Sequence, residues 1–477
     1  MTDAILAFLK RTQGTAPPSV LYQEIERCAA WWRGLYEPFH VSEERYGGGA
    51  VRRREMYKMG MAKKICEDWA GVLVNDRTSL TTGDVLLDGV LIGEQPRGGV
   101  LTADDFWGRL SGFVEVVFAL GTGAAVAKLS GVECDEDGAA VSAEAMALDF
   151  IPADRIFPLR VENGRIVSCA FAEQITDTKD GTVVYLSVHE KICEHLFCIT
   201  NYAIASDGTE RALPAGVRGR LTVSFPLFAI LTPNTLPVSG YAMAFGMGAS
   251  VFACAEDNLR GVDLAYNNFC RDLYLGGKKV FMNQSLVAED KFGNRVAPDD
   301  VAQQLFMTVG DGDLSAEAMI VEHNPALRTE ENCAALQAQL DYLSFKVGFG
   351  ARHYRFSGDR VVTATQYAGE RQEMFRWAAK HYLHMEHFLG ALAAMGRAFC
   401  VTLRGMALPP LGAVHVDFDD SFFVDPAAER ARDLAEVQAG LMAPWEFRVR
   451  YYGESEAAAR EMIASIGGGG TLQGKEG

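Results

Sequence analysis

The stretch HVDFDDSFFVD, His415 to Asp425, holds four aspartates in eleven positions, a composition suited to binding a divalent metal for nuclease or phosphotransfer chemistry. Asp417, Asp419 and Asp420 are the candidate ligands. Asp417 and Asp419 alternate with Val416 and Phe418 as on a strand, so one face would carry two carboxylates about 7 Å apart, wider than a shared metal prefers. A calcium loop fails as well, because Phe422 stands where the turn needs glycine. Asp425 before Pro426 is an N-cap followed by proline at the first helical position. The run reads as a strand entering a helix, with a metal-dependent nuclease or phosphotransfer enzyme as the alternative.

Other chemical groupings are weaker. His381, His384 and His387 recur every three residues beside Glu386, a step that drifts around a helix and suits a polar face or a subunit contact better than a metal. His189, Cys193, His195 and Cys198 lack metal-site spacing and lie in alternating sequence that argues for strands. Gly469 and Gly474-Lys475 approach a phosphate loop, but Glu476 replaces the hydroxyl that holds magnesium. The G-x-G pieces at Gly121 and Gly246 stand in the wrong context for a dinucleotide. No G-x-S-x-G elbow is present. No catalytic residue, metal or cofactor is therefore expected.

The loop GFGARHYRFSGDR, Gly348 to Arg360, sets Arg352, His353, Arg355 and Arg360 against Asp359 alone, and its glycines would let it move. This basic excess is local. With 62 acids against 45 bases the chain carries a net charge of −17, so its bulk surface repels nucleic acid. Ten scattered cysteines and the lack of a cleavable apolar leader imply a reducing cytosolic origin. The greasiest stretch, Gly112 to Leu129, is broken by Glu115, Lys128 and two glycines, so no membrane span is expected.

The elements that would position these residues follow from periodicity. Helices are expected over Pro18–Tyr36, over Val51–Asn75 with Arg52, Arg53 and Arg54 on its exposed side, and over Ala103–Leu120 capped by Thr102 and stopped at Gly121. Asp137-Gly138, Asn163-Gly164, Asp180-Gly181 and Asp207-Gly208 supply hairpin turns for an antiparallel β-meander between residues 124 and 210. From Gly248 a seam of Phe252, Ala255, Leu259, Val262, Tyr266, Phe269 and Leu273 marks a helix able to pack lengthwise on neighbours. A further helix covers Thr329–Val347. The longest pattern runs from Thr363, in a T-x-x-Q capping box with Gln366, to about Leu403, with Gly405 as its stop, and would span roughly 60 Å. Short helices from Pro426, Pro444 and Glu456 precede a glycine-rich tail, expected to be mobile.

Five stretches, taken in order, resemble the portal proteins of tailed double-stranded-DNA bacteriophages, in the branch of siphophages and related prophages. They are YKMGMAKKICEDWAGVLVND from Tyr57, DFIPADRIFPLRVENGRIVSCAF from Asp149, GASVFACAEDNLRGVDLAYNNF from Gly248, VVTATQYAGERQEMFRWAAKH from Val361, and VDFDDSFFVDPAAERARDLAEVQAGLMAPWEFRVRYYGESEAAAREMI from Val416. The resemblance implies an α+β portal fold and a non-enzymatic subunit of a ring of about twelve copies at one capsid vertex. Double-stranded DNA would pass through that ring during packaging and ejection. Its partners would be the terminase large subunit, head-tail connector and neck proteins, and the major capsid and scaffolding proteins; it would be made in the host cytoplasm and end in the virion. The implied division is wing (1–150), β-rich region including the clip (151–240), stem helix around the channel (241–280), wing (281–347), channel loop (348–362), long wing helix (363–405), helical crown (411–466) and disordered tail (467–477). The DNA-touching residues would be Arg352, His353, Arg355 and Arg360.

Overall fold

The segment Phe106–Leu120 is apolar on nearly every face, and a helix of that kind belongs inside a core. In a computed structural model of the chain it lies at the centre, with Leu110, Val114 and Val117 fully buried. The structure describes the chain except for residues 46–50, 95–96, 179–180, 215, 284–287, 290–294, 297–305, 310–319, 357–363, 419–425 and 469–477. The architecture is α+β.

Helix Phe106–Leu120 starts later than Thr102. The Thr102 hydroxyl is engaged elsewhere, accepting from the Gly99 N–H at 3.0 Å and donating to the Ile92 carbonyl. The expected stop holds: Gly121 takes a left-handed conformation, φ 86°, and its N–H bonds to the Val117 carbonyl. Against this helix packs Met61–Leu73, whose Met61, Ala62, Ile65, Cys66, Trp69 and Leu73 are buried. That helix is shorter than expected. Its supposed first turns, Val51–Glu55, form instead an antiparallel ribbon with Val41–Arg45, pairing Glu43 with Arg53 and Ser42 with Arg54.

The expected single meander is split among three antiparallel sheets, the smallest pairing Glu133–Cys134 with Ala140–Ser142. Gly123–Ser130 lies between Ala145–Pro152 and Phe228–Leu231. A separate sheet runs Glu210–Arg211, Leu196–Ala205, Gly181–Cys193, Arg165–Thr178, Ile156–Glu162, with Arg220–Val223 also on Leu196–Ala205. The turn at Asn163-Gly164 has φ of 50° and 74°, the two positive values a tight hairpin requires. Gly138 and Gly208 likewise turn with positive φ; the tip at Asp180 lies outside the described residues.

The seam from Gly248 is helical only from Glu256 to Leu275, after a 3₁₀ turn at Ala253–Ala255. Ser250 explains the delay, because its hydroxyl donates to the Phe118 carbonyl at 3.2 Å and holds the chain on the end of the central helix. Phe252, Ala255, Leu259 and Val262 are buried and Tyr266 packs partly buried on the same core, whereas Leu273 is exposed. Thr329–Lys346 packs beside this helix.

The longest helix, Ala364–Thr402, has 39 residues and spans about 58 Å at 1.5 Å per residue. Thr363, its expected cap, lies outside the described residues. From Met374 onward its inner face is core, with Met385, Phe388, Leu389, Leu392 and Phe399 buried. Gly405, φ 64°, follows its end. His415–Asp417 is indeed a strand and pairs with Ser79–Thr81, so the segment placed in the crown begins on the N-terminal part of the chain. Helices Pro426–Gln438, Pro444–Tyr452 and Glu456–Gly468 end the described chain. The last extends through residues 467 and 468, which had been assigned to the tail; residues 469–477 lie outside the description.

Candidate nucleic-acid interface

The basic loop grows from the end of helix Thr329–Lys346, and its glycines have specific tasks. Gly348 sits at φ 90° against the Trp377 indole, where a Cβ would fall 2.5 Å from the ring. Gly350 turns the chain at φ 83°. Between them Phe349 is buried, stacked on Trp69 with centroids 4.5 Å apart, while His353 stacks on Phe349 at the same separation. The Trp69 indole N–H donates to the Val347 carbonyl at 3.1 Å.

Polar contacts complete the bracing. The Tyr354 hydroxyl donates to Asp68 Oδ2 at 3.0 Å. Gln337 works at both ends of its amide, donating to the Tyr354 carbonyl at 3.0 Å and accepting from the Phe356 N–H at 2.8 Å. Desolvation, and then the negative charge of Asp68, push the Tyr354 phenol far above its ordinary pKa, so it remains a donor. Residues 347–356 are therefore fixed to two helices, and the glycines serve conformation and close approach rather than hinging.

The structure brings Arg352 and Arg355 together. Arg352 occupies the left-handed region at φ 68°, uncommon for a residue with a side chain, and its carbonyl accepts from Arg355 Nε at 3.1 Å. Both side chains reach the surface. His353 is exposed as well, with one ring face on Phe349, and desolvation there lowers its pKa from the ordinary value, outweighing the opposing pull of Asp68. Arg360 lies outside the described residues. Two guanidinium groups on a braced turn can meet phosphate oxygens, contacts that carry no sequence information.

His195, His384 and His387 line one groove, but among the described residues the histidine candidates form no metal-holding group. His381 is buried against Trp69 and Phe118, and its Nδ1 accepts from the Asn234 N–H at 3.0 Å. His384 Nδ1 contacts the Thr232 carbonyl at 2.9 Å, and His387 faces a groove of about 780 Å³ beside Phe228 and Phe388. His189 is buried in the sheet at 2.6 Å from the Ser187 hydroxyl; Cys198 instead contacts Arg220 at 3.1 Å. Asp417 is exposed on its strand, and neighbouring Phe418 stacks on Tyr382 at 4.0 Å. Asp419, Asp420 and Asp425 lie outside the described residues, as does the glycine run from Gly469. Among the described residues no three His, Cys, Asp or Glu side chains are grouped to hold a metal, and no helix is long and apolar enough to cross a membrane.

Sequence reasoning missed the residues that brace the loop. Trp69 was visible only as a member of an apolar seam, and the aromatic between two glycines at Phe349 was the available signal for a pinned turn. Asp68 gave none.

No family model matches the chain, and no curated protein does. Among solved structures it is similar to one described as the neck of a native GTA particle computed with C12 symmetry. The two share 12% identity at a TM-score of 0.37, over 82% of this chain and 88% of that one. So slight a likeness fixes neither fold nor function.

Proposed function

We propose that the chain is a phage portal subunit: one copy in a ring of about twelve at a capsid vertex, a conduit for DNA and a platform for other proteins. The observation that carries this reading is an order of elements. A seamed helix, Glu256–Leu275, is followed by its companion Thr329–Lys346, by a braced turn presenting Arg352 and Arg355, and then by a helix of 39 residues. The five stretches of portal-like sequence fall in the same order.

In this reading the helix Glu256–Leu275 is the stem, the turn is the channel loop and the long helix belongs to the wing. The sheet between residues 156 and 223 contains the clip that meets the terminase large subunit or neck proteins, and the C-terminal helices form the crown. The major capsid and scaffolding proteins contact the outer rim, and the subunit performs no bond-making step. A net charge of −17 suits such a conduit, because dense phosphate neutralisation would hold DNA too tightly for it to move.

The test is native mass spectrometry with negative-stain imaging of the purified protein. Rings of about a dozen copies with a central hole are expected. A monomer or dimer whose magnesium-dependent nuclease activity disappears in Asp419→Asn would overturn the portal and establish the enzyme.

A further inference from the structure

The ribbon Val41–Arg45/Val51–Glu55 has no core. Among the described residues neither strand pairs with any third strand. Ser42, Glu43, Arg45, Val51, Arg52, Arg53 and Glu55 are all exposed. An isolated two-stranded ribbon is marginal in water, and two open edges invite another chain.

Its root is nevertheless firmly built. His40 is 1% exposed, accepts the Tyr36 N–H on Nδ1 at 2.9 Å, and so presents Nε2–H to Asp263 Oδ2 at 3.0 Å. Asp263 Oδ1 accepts the Met59 N–H at 2.8 Å, and one turn along the same helix Asn267 accepts the Tyr57 N–H at 3.2 Å. Two buried polar side chains of the helix Glu256–Leu275 thus clamp the outgoing strand, and the ribbon is held out from a fixed base.

The two edges differ in charge. The first strand carries Glu43, Glu44 and Arg45; the second carries Arg52, Arg53, Arg54 and Glu55. One edge is net acidic and the other net basic, while the whole ribbon nearly cancels and offers DNA little. We propose that the ribbon is an intersubunit arm: the first strand of one copy pairs antiparallel with the second strand of the next. Such contacts are head-to-tail, use different surfaces on the two copies, and close into a ring when the rotation allows. Main-chain hydrogen bonds join the edges, and Glu43 of one copy faces Arg52 and Arg53 of its neighbour, Arg53 also pairing with Glu37 of its own copy at 2.7 Å.

This inference rests on the ring proposed above, and its test separates the two. If the wild-type chain forms no ring, the portal reading itself fails. Given a wild-type ring, the double variants Glu43→Arg/Glu44→Arg and Arg52→Glu/Arg53→Glu should each yield mostly separated subunits by native mass. Mixed one to one, they should regain rings of alternating copies, although neither ribbon's internal charge pairing has been repaired. Rings in either variant alone, or none from the mixture, would overturn the arm. Amide hydrogen exchange on the wild type gives a reading independent of folding in the variants. Outward amides of Val41–Arg45 and Val51–Glu55 should exchange at least tenfold more slowly in rings than in dissociated subunits. Equal rates, or protection appearing only when duplex DNA is added, would also sink it.

Discussion

Tyr354 donates its hydroxyl to Asp68 Oδ2 at 3.0 Å, joining the basic turn to a helix 286 residues earlier in the chain. Lys64 engages the other oxygen of that carboxylate, so the aspartate is held from both sides. Together with Phe349 on Trp69, this contact makes the arginine-bearing turn part of the folded body. Tyr354→Phe keeps the ring and removes only the donor to an ionised acceptor. A loss of about 1–2 kcal/mol is expected in denaturant unfolding, with the fold retained. No shift of the midpoint would show that the hydroxyl does not fasten the turn.

Gly348 tests the same mount from its other side. Alanine there must adopt φ 90° and place Cβ 2.5 Å from the Trp377 ring. Backbone strain and overpacking together should cost about 2–4 kcal/mol, read as a lower unfolding midpoint. A neutral Gly348→Ala would mean that the indole moves freely.

How much of this was visible beforehand depends on range. Local signals held: Asn163-Gly164 turned, Gly121 and Gly405 followed helix ends, and the seam from Phe252 to Val262 was core. Failures came where distant or neighbouring partners intervened. Val51–Glu55 continues a run of good helix formers, yet Val41–Arg45 is available to pair with it. Thr102 would cap a helix but bonds to Ile92 and Gly99. The turn around Arg352 read as mobile because its restraints, Asp68, Trp69 and Trp377, come from elsewhere in the chain. Charge alone marked the arginines; it could not show that the exposed His353 ring lies on Phe349.

Two histidines set an acid limit on stability. Burial lowers the pKa of His189 and of His381 from 6.5 to about 3. The unfolded chain takes up protons below about pH 6.5 while the folded protein refuses them, so their effect is fully favourable above pH 6.5 and is lost as pH falls from 6.5 towards 3. At pH 5 each should cost on the order of 2 kcal/mol. Unfolding midpoints measured from pH 7 to pH 4 should fall steeply, and His189→Gln should reduce the proton slope by about one. An unchanged slope in that variant would remove His189 from the effect.

The arginines themselves should matter for DNA and not for assembly. Arg352 and Arg355 are exposed on a turn whose shape depends on Phe349, Tyr354 and backbone, so truncating them leaves the mount intact. Arg352→Ala/Arg355→Ala is expected to unfold within about 0.5 kcal/mol of the wild type, as surface changes usually do, and with Arg360→Ala added to form rings of unchanged mass. DNA packaged per particle should fall. Binding of short duplexes to isolated rings should weaken by a similar factor for unrelated sequences, with a shallower salt dependence, because phosphate contacts carry no sequence information. Packaging at the wild-type level would take the turn out of the mechanism. A loss confined to particular duplex sequences would instead mean that the guanidinium groups reach base edges.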